Sequence, residues 1–297
     1  MTEKQPDTCC ILTGVTGWLG RHIVQELEKS GCEIYVLLRQ KNGLDVHGRC
    51  KEFEQETGFK SRLKPLEIID NQIPELPAET THIIHCAAMV DFSDDKNIFQ
   101  ANVGLTWDLL VATSQLSKFE RFLYISTFSI RGNGRKPFTE NSLDVGQDFI
   151  SAYNLTKFLA ETVVKKFHKD VNSSIIRLGS ILGRSDGYFP MPSDWFYRTI
   201  KLWLEGKSSA FPLGMNQEIH PLPVDIASQV LCTLLYYPEL PEILHLPHSP
   251  GPEMTTIFKE MAMELNRPSP GLYSQHSEEW RTFRKQLAPT VRRMIDG

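Results

Sequence analysis

Short apolar runs alternate with amphipathic segments in the N-terminal part of the chain. The first apolar run covers Cys9–Thr13 and the second covers Glu33–Leu38. Between them, Ile23, Val24 and Leu27 share one face of a predicted helix at 21–29. The pattern predicts a strand, a helix and a second strand, which together form a βαβ unit of about 30 residues.

The same alternation continues to residue 180. Further strands are predicted at 66–69, 82–86, 121–126 and 174–178, and further helices at 101–116 and 152–167. Strands that alternate with helices imply a parallel sheet covered on both faces. We therefore predict an α/β fold whose residues 1–180 form a doubly wound, Rossmann-type nucleotide-binding domain.

The alternation of predicted strands and helices becomes less regular beyond Gly179. Helices are predicted at 194–204, 223–237, 254–265 and 278–287, and the Pro-rich stretch 238–252 is predicted to wind over the surface. Residues 181–297 are thus predicted to form a smaller, mostly helical substrate-binding region. Within it, about 219–247 is expected to return to the nucleotide-binding domain.

Composition narrows the classes of partner. The 297 residues have a net charge of -4, which gives no reason to expect a nucleic acid. The six cysteines form no CxxC pair and are interpreted as reduced thiols. The polar start is unlike a signal peptide, and no apolar run approaches the ~20 residues that span a bilayer. We expect a cytoplasmic protein, and its oligomeric state is left open.

A glycine-spaced loop follows the first strand. Glycines allow the backbone to approach a pyrophosphate, and the next helix directs its N-terminal amides at the charge. The alternative is a glycine-rich turn with no ligand. The predicted cofactor contacts in this loop are Gly14, Thr16, Gly17, Trp18, Leu19 and Gly20.

The end of the second strand bears on the choice of cofactor. Folds that bind NAD place an acidic residue there to bind the ribose hydroxyls. Here Arg39 stands in that place, and no carboxylate is present at 37–41. Because a guanidinium suits phosphate oxygens, Arg39 predicts NADPH. A solvated basic turn is the alternative.

Tyr153 and Lys157 are the main candidates for chemistry. Four residues of separation place both on one helix face. A neighbouring ammonium lowers the pKa of a phenol from about 10, which suits a proton donor in carbonyl reduction. The spacing recurs at Tyr197 and Lys201, so context must decide between the pairs. Thr127 adds a hydroxyl at the predicted end of the fifth strand.

These motifs resemble the extended branch of the short-chain dehydrogenase/reductase superfamily. The loop matches its TGxTGxLG form, and Thr127 followed by Tyr153 and Lys157 matches its Ser/Thr and YxxxK pattern. The resemblance selects Tyr153 over Tyr197 and implies Thr127, Tyr153 and Lys157 as catalytic residues. It also implies cofactor contacts at Asp70, Ala87, Ala88, Lys157, Leu178 and Ser180.

Within that branch, the chain looks most like carboxylic thioester reductases and fatty acyl-CoA reductases. The segments that carry this likeness are an HxAAxVxF run at 85–92, a segment at 221–227 that resembles PVDxVA, and Glu279-Trp280. The chain departs from the branch at Leu178, where Pro is frequent. The resemblance implies NADPH-dependent reduction of an acyl thioester, on coenzyme A or on an acyl or peptidyl carrier protein. The product would be an aldehyde, or an alcohol after a second reduction.

Two other classes remain open. A sugar-nucleotide epimerase or a ketone or aldehyde reductase of the same branch would use the same three catalytic residues. A 4,6-dehydratase is disfavoured because Phe128 and Ser129 stand where that family has an Asp-Glu pair. An NADPH-sensing or scaffold protein would have no need of both Tyr153 and Lys157.

Two further sets of residues have structural interpretations. His82 and His85 are three apart on a strand and face opposite sides, and His245 and His248 bracket a proline, so no metal site is predicted. Aromatic residues beyond the sheet either line an acyl-chain pocket or form the core of the smaller region. They are Trp195, Phe196, Trp203 and Phe211.

Overall fold

The computed structural model describes residues 8–90, 97–132, 137–149, 151–188, 195–212, 219–246, 251–274, 277–288 and 291. The chain divides into two compact units. The first unit consists of Met1–Ser185 and Pro223–Leu246, and the second of Asp186–Leu222 and Pro247–Gly297.

Strands and helices occur in both units. The strands are β1 (Cys9–Thr13), β2 (Glu33–Leu38), β3 (Lys64–Glu67), β4 (His82–His85), β5 (Arg121–Thr127), β6 (Ser173–Leu178), β7 (Ser180–Leu182), β8 (Ala210–Phe211), β9 (Pro221–Pro223), β10 (Ile243–Leu246) and β11 (Gly271–Leu272). The α-helices are α1 (Trp18–Ser30), α2 (Val46–Thr57), α3 (Asn97–Phe99), α4 (Leu105–Thr113), α5 (Ala152–Phe167), α6 (Trp195–Leu204), α7 (Val224–Leu235), α8 (Met254–Glu264) and α9 (Glu278–Gln286). A π-helical segment spans Gln100–Gly104, and a 3-10 helix spans Phe128–Arg131.

The first unit is built on a seven-stranded parallel sheet in the order β10-β6-β5-β4-β1-β2-β3. The chain runs outward from β1 to β3 on one side and from β4 to β10 on the other. The point between β1 and β4 is therefore the switch at which doubly wound sheets bind their ligands. This topology confirms the predicted fold class.

The apolar strand residues form the core of this unit. Ile11, Ile83, Phe122 and Ile175 lie on adjacent strands and are fully buried. Leu109 on α4 packs in the same cluster. Because helices cover both faces, the strands read as continuous apolar runs, which is the pattern that made them visible in the sequence.

Most predicted elements agree with the structure, but two predictions were wrong and one helix was not predicted. Ile243–Leu246, in the Pro-rich stretch, is an edge strand paired with β6 and not a surface loop. The third strand lies at Lys64–Glu67, two residues earlier than predicted. Helix α2 was not predicted, although Asp45 caps its first turn and Gly58 ends it with φ 66°.

In the second unit, aromatic side chains form a core of their own. Phe196, Trp203 and Phe211 are at most 6% exposed. The rings of Trp203 and Phe211 lie 5.6 and 6.1 Å from the ring of Phe258 on α8. The structure therefore favours the core interpretation for these residues, and the side chain of Trp195 lies outside the described part. Among the described residues, no helix is both long enough and apolar enough to cross a bilayer.

Candidate active site

The glycine loop is packed too closely for a side chain at two of its positions. Gly14 has φ 77°, and its carbonyl accepts a hydrogen bond from the Gly17 amide at 2.9 Å. A Cβ on Gly14 would lie 2.8 Å from the Ala87 nitrogen, and one on Gly20 would lie 2.1 Å from the Gly14 oxygen. Gly17 caps α1 without a side chain. The loop therefore presents the amides at the start of α1 to an anionic ligand, as a pyrophosphate site requires.

Two guanidinium groups stand at the end of β2. Arg39 is exposed directly after the strand. Arg49, on α2, donates to the Arg39 carbonyl at 2.6 Å and to the Thr16 hydroxyl at 3.5 Å. Arg49 thus connects the end of β2 to the glycine loop. Arg49 was not predicted as a site residue, because the helix that carries it was not predicted.

A buried chain of hydrogen bonds joins the ends of β1 and β4. The Ala87 amide donates to the Thr13 hydroxyl at 3.0 Å, which lies 2.7 Å from Nδ1 of His85. Nε2 of His85 lies 2.9 Å from the Thr106 hydroxyl, whose proton goes to the Asn102 carbonyl. Burial and the Lys157 charge lower the pKa of His85 to about 3. A neutral ring with its proton on Nε2 satisfies every bond in this chain.

Asn102 ties the loop after β4 to the start of α5. Its side-chain oxygen accepts from the Met89 amide at 2.7 Å, and its Nδ2 donates to the Met89 carbonyl and to Thr156. The Thr156 hydroxyl donates in turn to the Tyr153 carbonyl at 2.9 Å. Asn102 lies within the π-helical segment, a deformation that is frequent at functional sites.

Thr127 ends β5 and caps the 3-10 helix that follows. Its hydroxyl accepts from the Ser129 amide at 3.2 Å and lies 3.0 Å from the Ser129 hydroxyl. The Ser129 carbonyl accepts from the Asn154 side chain at 2.8 Å. Because Asn154 directly follows Tyr153, this bond brings the segments of two predicted catalytic residues together.

Tyr153 and Lys157 lie one turn apart at the start of α5, which Ser151 caps. Tyr153 is half-buried, and Lys157 is only 3% exposed. The Lys157 ammonium donates to the Ile125 carbonyl at 2.6 Å and lies 4.3 Å from the centre of the Tyr124 ring. Burial lowers the pKa of Lys157 to about 8, and the charge of Glu161 opposes that shift.

A buried ion pair lies one turn beyond Lys157. Glu161 and Arg177 are both 0% exposed, and Nη2 of Arg177 lies 2.7 Å from a Glu161 oxygen. Nη2 also donates to the Ser142 carbonyl, and Nη1 donates to the Thr139 carbonyl and contacts Nε2 of His245. The pair therefore joins α5, β6, β10 and the segment 137–149. A charged pair at these positions was not predicted, although Glu161 follows Lys157 at the same four-residue spacing.

The remaining predicted cofactor residues lie at the ends of neighbouring strands. Ala88 follows β4 and is half-buried, and Ser180 follows β6. Leu178 ends β6 opposite Thr127 and is 3% exposed. Asp70 lies in an exposed turn after β3, with φ 50°. Their cofactor roles stay predictions.

The second Tyr/Lys pair has a different setting. Tyr197 is 7% exposed in α6, within the second unit, whereas Lys201 is exposed and lies 3.9 Å from Glu205. This is a helix face with a buried aromatic side and a solvated side. The pair belongs to the second unit, whereas Tyr153 lies on α5 of the first unit.

One group of potential metal ligands occurs among the described residues. Cys9, Glu33 and Glu79 bring their ligand atoms within 4.8 Å of one another. Glu33 is paired with Lys64, and Glu79 accepts a hydrogen bond from the Tyr35 hydroxyl at 2.9 Å. Burial raises the pKa of the Cys9 thiol to about 11, which disfavours the thiolate that a metal requires.

Comparison with known proteins identifies the family. The family model described as male sterility protein matches residues 12–231. The chain belongs to this family. The predicted resemblance is confirmed, and so is the prediction of the extended short-chain dehydrogenase/reductase fold of NAD(P)-dependent reductases.

Several curated proteins are similar in sequence. Fatty acyl-CoA reductase 1 of Gallus gallus is 30% identical over 59% of this chain and 43% of its own length. Adenylate-forming reductase Nps9 of Serpula lacrymans is 31% identical over 67% of this chain and 20% of its own. Non-reducing polyketide synthase pkiA of Emericella nidulans is 26% identical over 86% and 11%. The chain thus spans less than half the length of each of these relatives.

Solved structures share the fold. The terminal R domain from the myxalamid PKS-NRPS biosynthetic pathway has a TM-score of 0.77 at 23% identity, covering 97% of this chain and 77% of that one. The UDP-glucuronic acid 4-epimerase of Bacillus cereus, in complex with UDP-glucuronic acid and NAD, has a TM-score of 0.69 at 18% identity, covering 97% of both chains. At these identities the likeness concerns the fold alone.

Proposed function

We propose that this protein is an NADPH-dependent reductase that converts an acyl thioester to an aldehyde, and to an alcohol where a second reduction follows. The observation that carries the proposal is the position of Lys157. Its buried ammonium lies one helical turn from Tyr153, beside the strand that ends in Thr127. Burying a cation is costly, so a site that keeps one points to chemistry that needs it.

The residues present fit a dinucleotide cofactor. Gly14 allows the loop to pack closely against Ala87, and Gly20 allows α1 to pack closely against the loop. The amides at the start of α1 suit a pyrophosphate. Arg39 and Arg49 supply two guanidinium groups at the end of β2, where a 2′-phosphate would lie. Their presence, together with the lack of an acidic residue at 37–41, supports NADPH over NADH.

The bound cofactor would supply a hydride from C4 of its nicotinamide to the thioester carbonyl carbon. Thr127 and Tyr153 would donate hydrogen bonds to the carbonyl oxygen as negative charge develops on it. Tyr153 then gives its proton to that oxygen, and the charge of Lys157 stabilises the phenolate left behind. The thiohemiacetal collapses when its hydroxyl proton returns to Tyr153 and the C–S bond breaks. The leaving thiolate takes a proton from water.

The thioester substrate is supported by the family and by the names of the relatives. Two of these are named as a fatty acyl-CoA reductase and an adenylate-forming reductase. We propose coenzyme A or a carrier protein as the thiol, and residues 181–297 as the part that binds the acyl group. Because the chain spans only part of each relative, the thiol and the acyl group are choices for experiment.

The first test is substitution of Tyr153. Tyr153→Phe should lower the rate of NADPH oxidation with butyryl-, octanoyl- or hexadecanoyl-CoA by at least about 10²-fold, because it removes the proton donor. The affinity for NADPH, measured by calorimetry, should remain within about threefold. Tyr237→Phe, at an exposed tyrosine, is the matched control. Unchanged turnover in Tyr153→Phe would refute the assignment.

The second test concerns the choice of cofactor. Arg39→Ser and Arg49→Ser should each raise the KM for NADPH by about tenfold or more while leaving the KM for NADH within about twofold, because only NADPH carries the 2′-phosphate. Arg62→Ser, at an exposed arginine between α2 and β3, is the control. Equal effects on both cofactors would show that neither guanidinium reads the phosphate.

Other functions predict different observations. A sugar-nucleotide epimerase would retain tightly bound NAD through purification, which a guanidinium pair at Arg39 and Arg49 disfavours. A sensor or scaffold protein would bind NADPH but oxidise it with no thioester, aldehyde or ketone. Analysis of copurified nucleotide and a panel of these carbonyl compounds separates the three functions.

A further inference from the structure

The Thr127 hydroxyl oxygen lies within hydrogen-bonding distance of two groups of Ser129. A hydroxyl carries one proton and two acceptor lone pairs. At Thr127, the Ser129 amide occupies one lone pair at 3.2 Å, and the Ser129 hydroxyl lies 3.0 Å from the same oxygen. The direction of this second bond decides what Thr127 can do next.

Thr127 can donate a hydrogen bond to the substrate only if Ser129 is the donor in the bond between the two hydroxyls. If Thr127 donates to Ser129, its single proton is used and none remains for a substrate oxygen. If Ser129 donates to Thr127, both lone pairs are filled, and the Thr127 proton is free to point at a third group. A hydroxyl that accepts two hydrogen bonds is also a stronger donor, because successive bonds polarise one another.

Hydrogen bonds hold the backbone of Ser129 in place. Its carbonyl accepts two hydrogen bonds, one from the Gly132 amide at 3.1 Å and one from the Asn154 side chain at 2.8 Å. Its amide is bound to Thr127 as described. The backbone is therefore fixed by contacts that do not involve the hydroxyl, and the side chain is exposed. The Ser129 hydroxyl lies 3.0 Å from the Thr127 hydroxyl.

We propose that Ser129 is a positioning residue for the reduction. It donates its hydroxyl proton to Thr127 and thereby directs the Thr127 proton to the carbonyl oxygen of the substrate. This inference rests on the proposed function, in which Thr127 binds that oxygen. Ser129 needs no contact with substrate or cofactor, because it acts through Thr127.

A double-mutant cycle tests the inference. Wild type, Ser129→Ala, Thr127→Ala and the double variant are compared with NADPH and whichever of butyryl-, octanoyl- and hexadecanoyl-CoA is reduced fastest. Ser129→Ala should lower kcat by about threefold to tenfold, the worth of one neutral hydrogen bond, with KM within about twofold. In the Thr127→Ala background it should have no effect. Ser129→Thr should restore the rate, since it restores the hydroxyl.

The controls separate the inference from the proposed function. Ser114→Ala removes a partly exposed serine hydroxyl, at the end of α4, and should leave kcat unchanged. An equal loss from Ser129→Ala in both backgrounds, or no loss in the wild-type background, overturns the role of Ser129 alone. A Thr127→Ala variant as active as wild type overturns the role of Thr127. A wild type that reduces none of the thioesters refutes the proposed function and the inference with it.

Discussion

The buried pair of Glu161 and Arg177 offers the sharpest test of how the site is supported. Glu161→Gln keeps the size and shape of the side chain but removes its charge. In the native protein both partners are 0% exposed, and Nε and Nη2 of Arg177 donate to the carboxylate at 2.7–3.1 Å. The carbonyls of Thr139 and Ser142 would still accept from Arg177, but they carry no charge to balance it.

The expected cost follows from burial. Removing one partner of a fully buried pair leaves an uncompensated charge and costs about 3–5 kcal/mol. Amides of β5 and β6 exchange with solvent through global opening of their unit, so their exchange in Glu161→Gln should be roughly 10²- to 10⁴-fold faster. Hydrogen exchange followed by mass spectrometry measures this on the NADPH-free protein.

An exposed pair in the same unit provides the control. Lys165 and Glu242 lie 3.9 Å apart, and their side chains are 35% and 38% exposed. Glu242→Gln should cost at most about 1 kcal/mol and accelerate exchange less than about tenfold. If Glu161→Gln accelerates exchange no more than Glu242→Gln does, the buried charge is compensated by other groups and the reasoning is wrong.

Three further substitutions have defined outcomes. Gly20→Ala should abolish NADPH binding by calorimetry, because its Cβ would lie 2.1 Å from the backbone oxygen of Gly14, whereas Gly146→Ala in an open turn should not. Tyr124→Phe should raise the free energy of unfolding or leave it unchanged, since the buried hydroxyl has no hydrogen-bond partner among the described residues; a fall of more than about 1 kcal/mol would show that the hydroxyl is bonded. Lys157→Met should abolish turnover yet stabilise the protein below pH 8, and this gain should shrink between pH 8 and 10.5, where wild type sheds its buried proton and the unfolded chain keeps it. A gain that stays constant up to pH 10.5 would contradict the lowered pKa of Lys157.

The sheet could be predicted because its local and global signals agree. Strands β1 and β2 are apolar runs bounded by turn residues, and the structure places them at the predicted residues. The edge strand Ile243–Leu246 could not be predicted in this way. It is short and partly exposed, and it lies between prolines, so its identity as a strand depends on pairing with β6, some 70 residues away.

The residues of the candidate site also fall into two groups, those that the sequence predicts and those that it does not. Thr127, Tyr153 and Lys157 belong to a linear motif, so spacing and resemblance sufficed to name them. Arg49 and Arg177 contact residues that are distant from them in the sequence. Arg177 reads in the sequence as one polar residue in an apolar strand, and nothing local tells that its partner is on α5. Residues that support a site through long-range contacts need the fold before they can be named.

The most direct test of the central claim is to follow the transferred hydride. NADPH deuterated at either face of C4 is incubated with octanoyl-CoA, and the aldehyde or alcohol is analysed by mass spectrometry. We predict that one of the two labelled cofactors places deuterium on the former carbonyl carbon, and that Tyr153→Phe forms this product at least about 10²-fold more slowly. An unlabelled product from both cofactors, or full-rate labelling by Tyr153→Phe, would contradict the account.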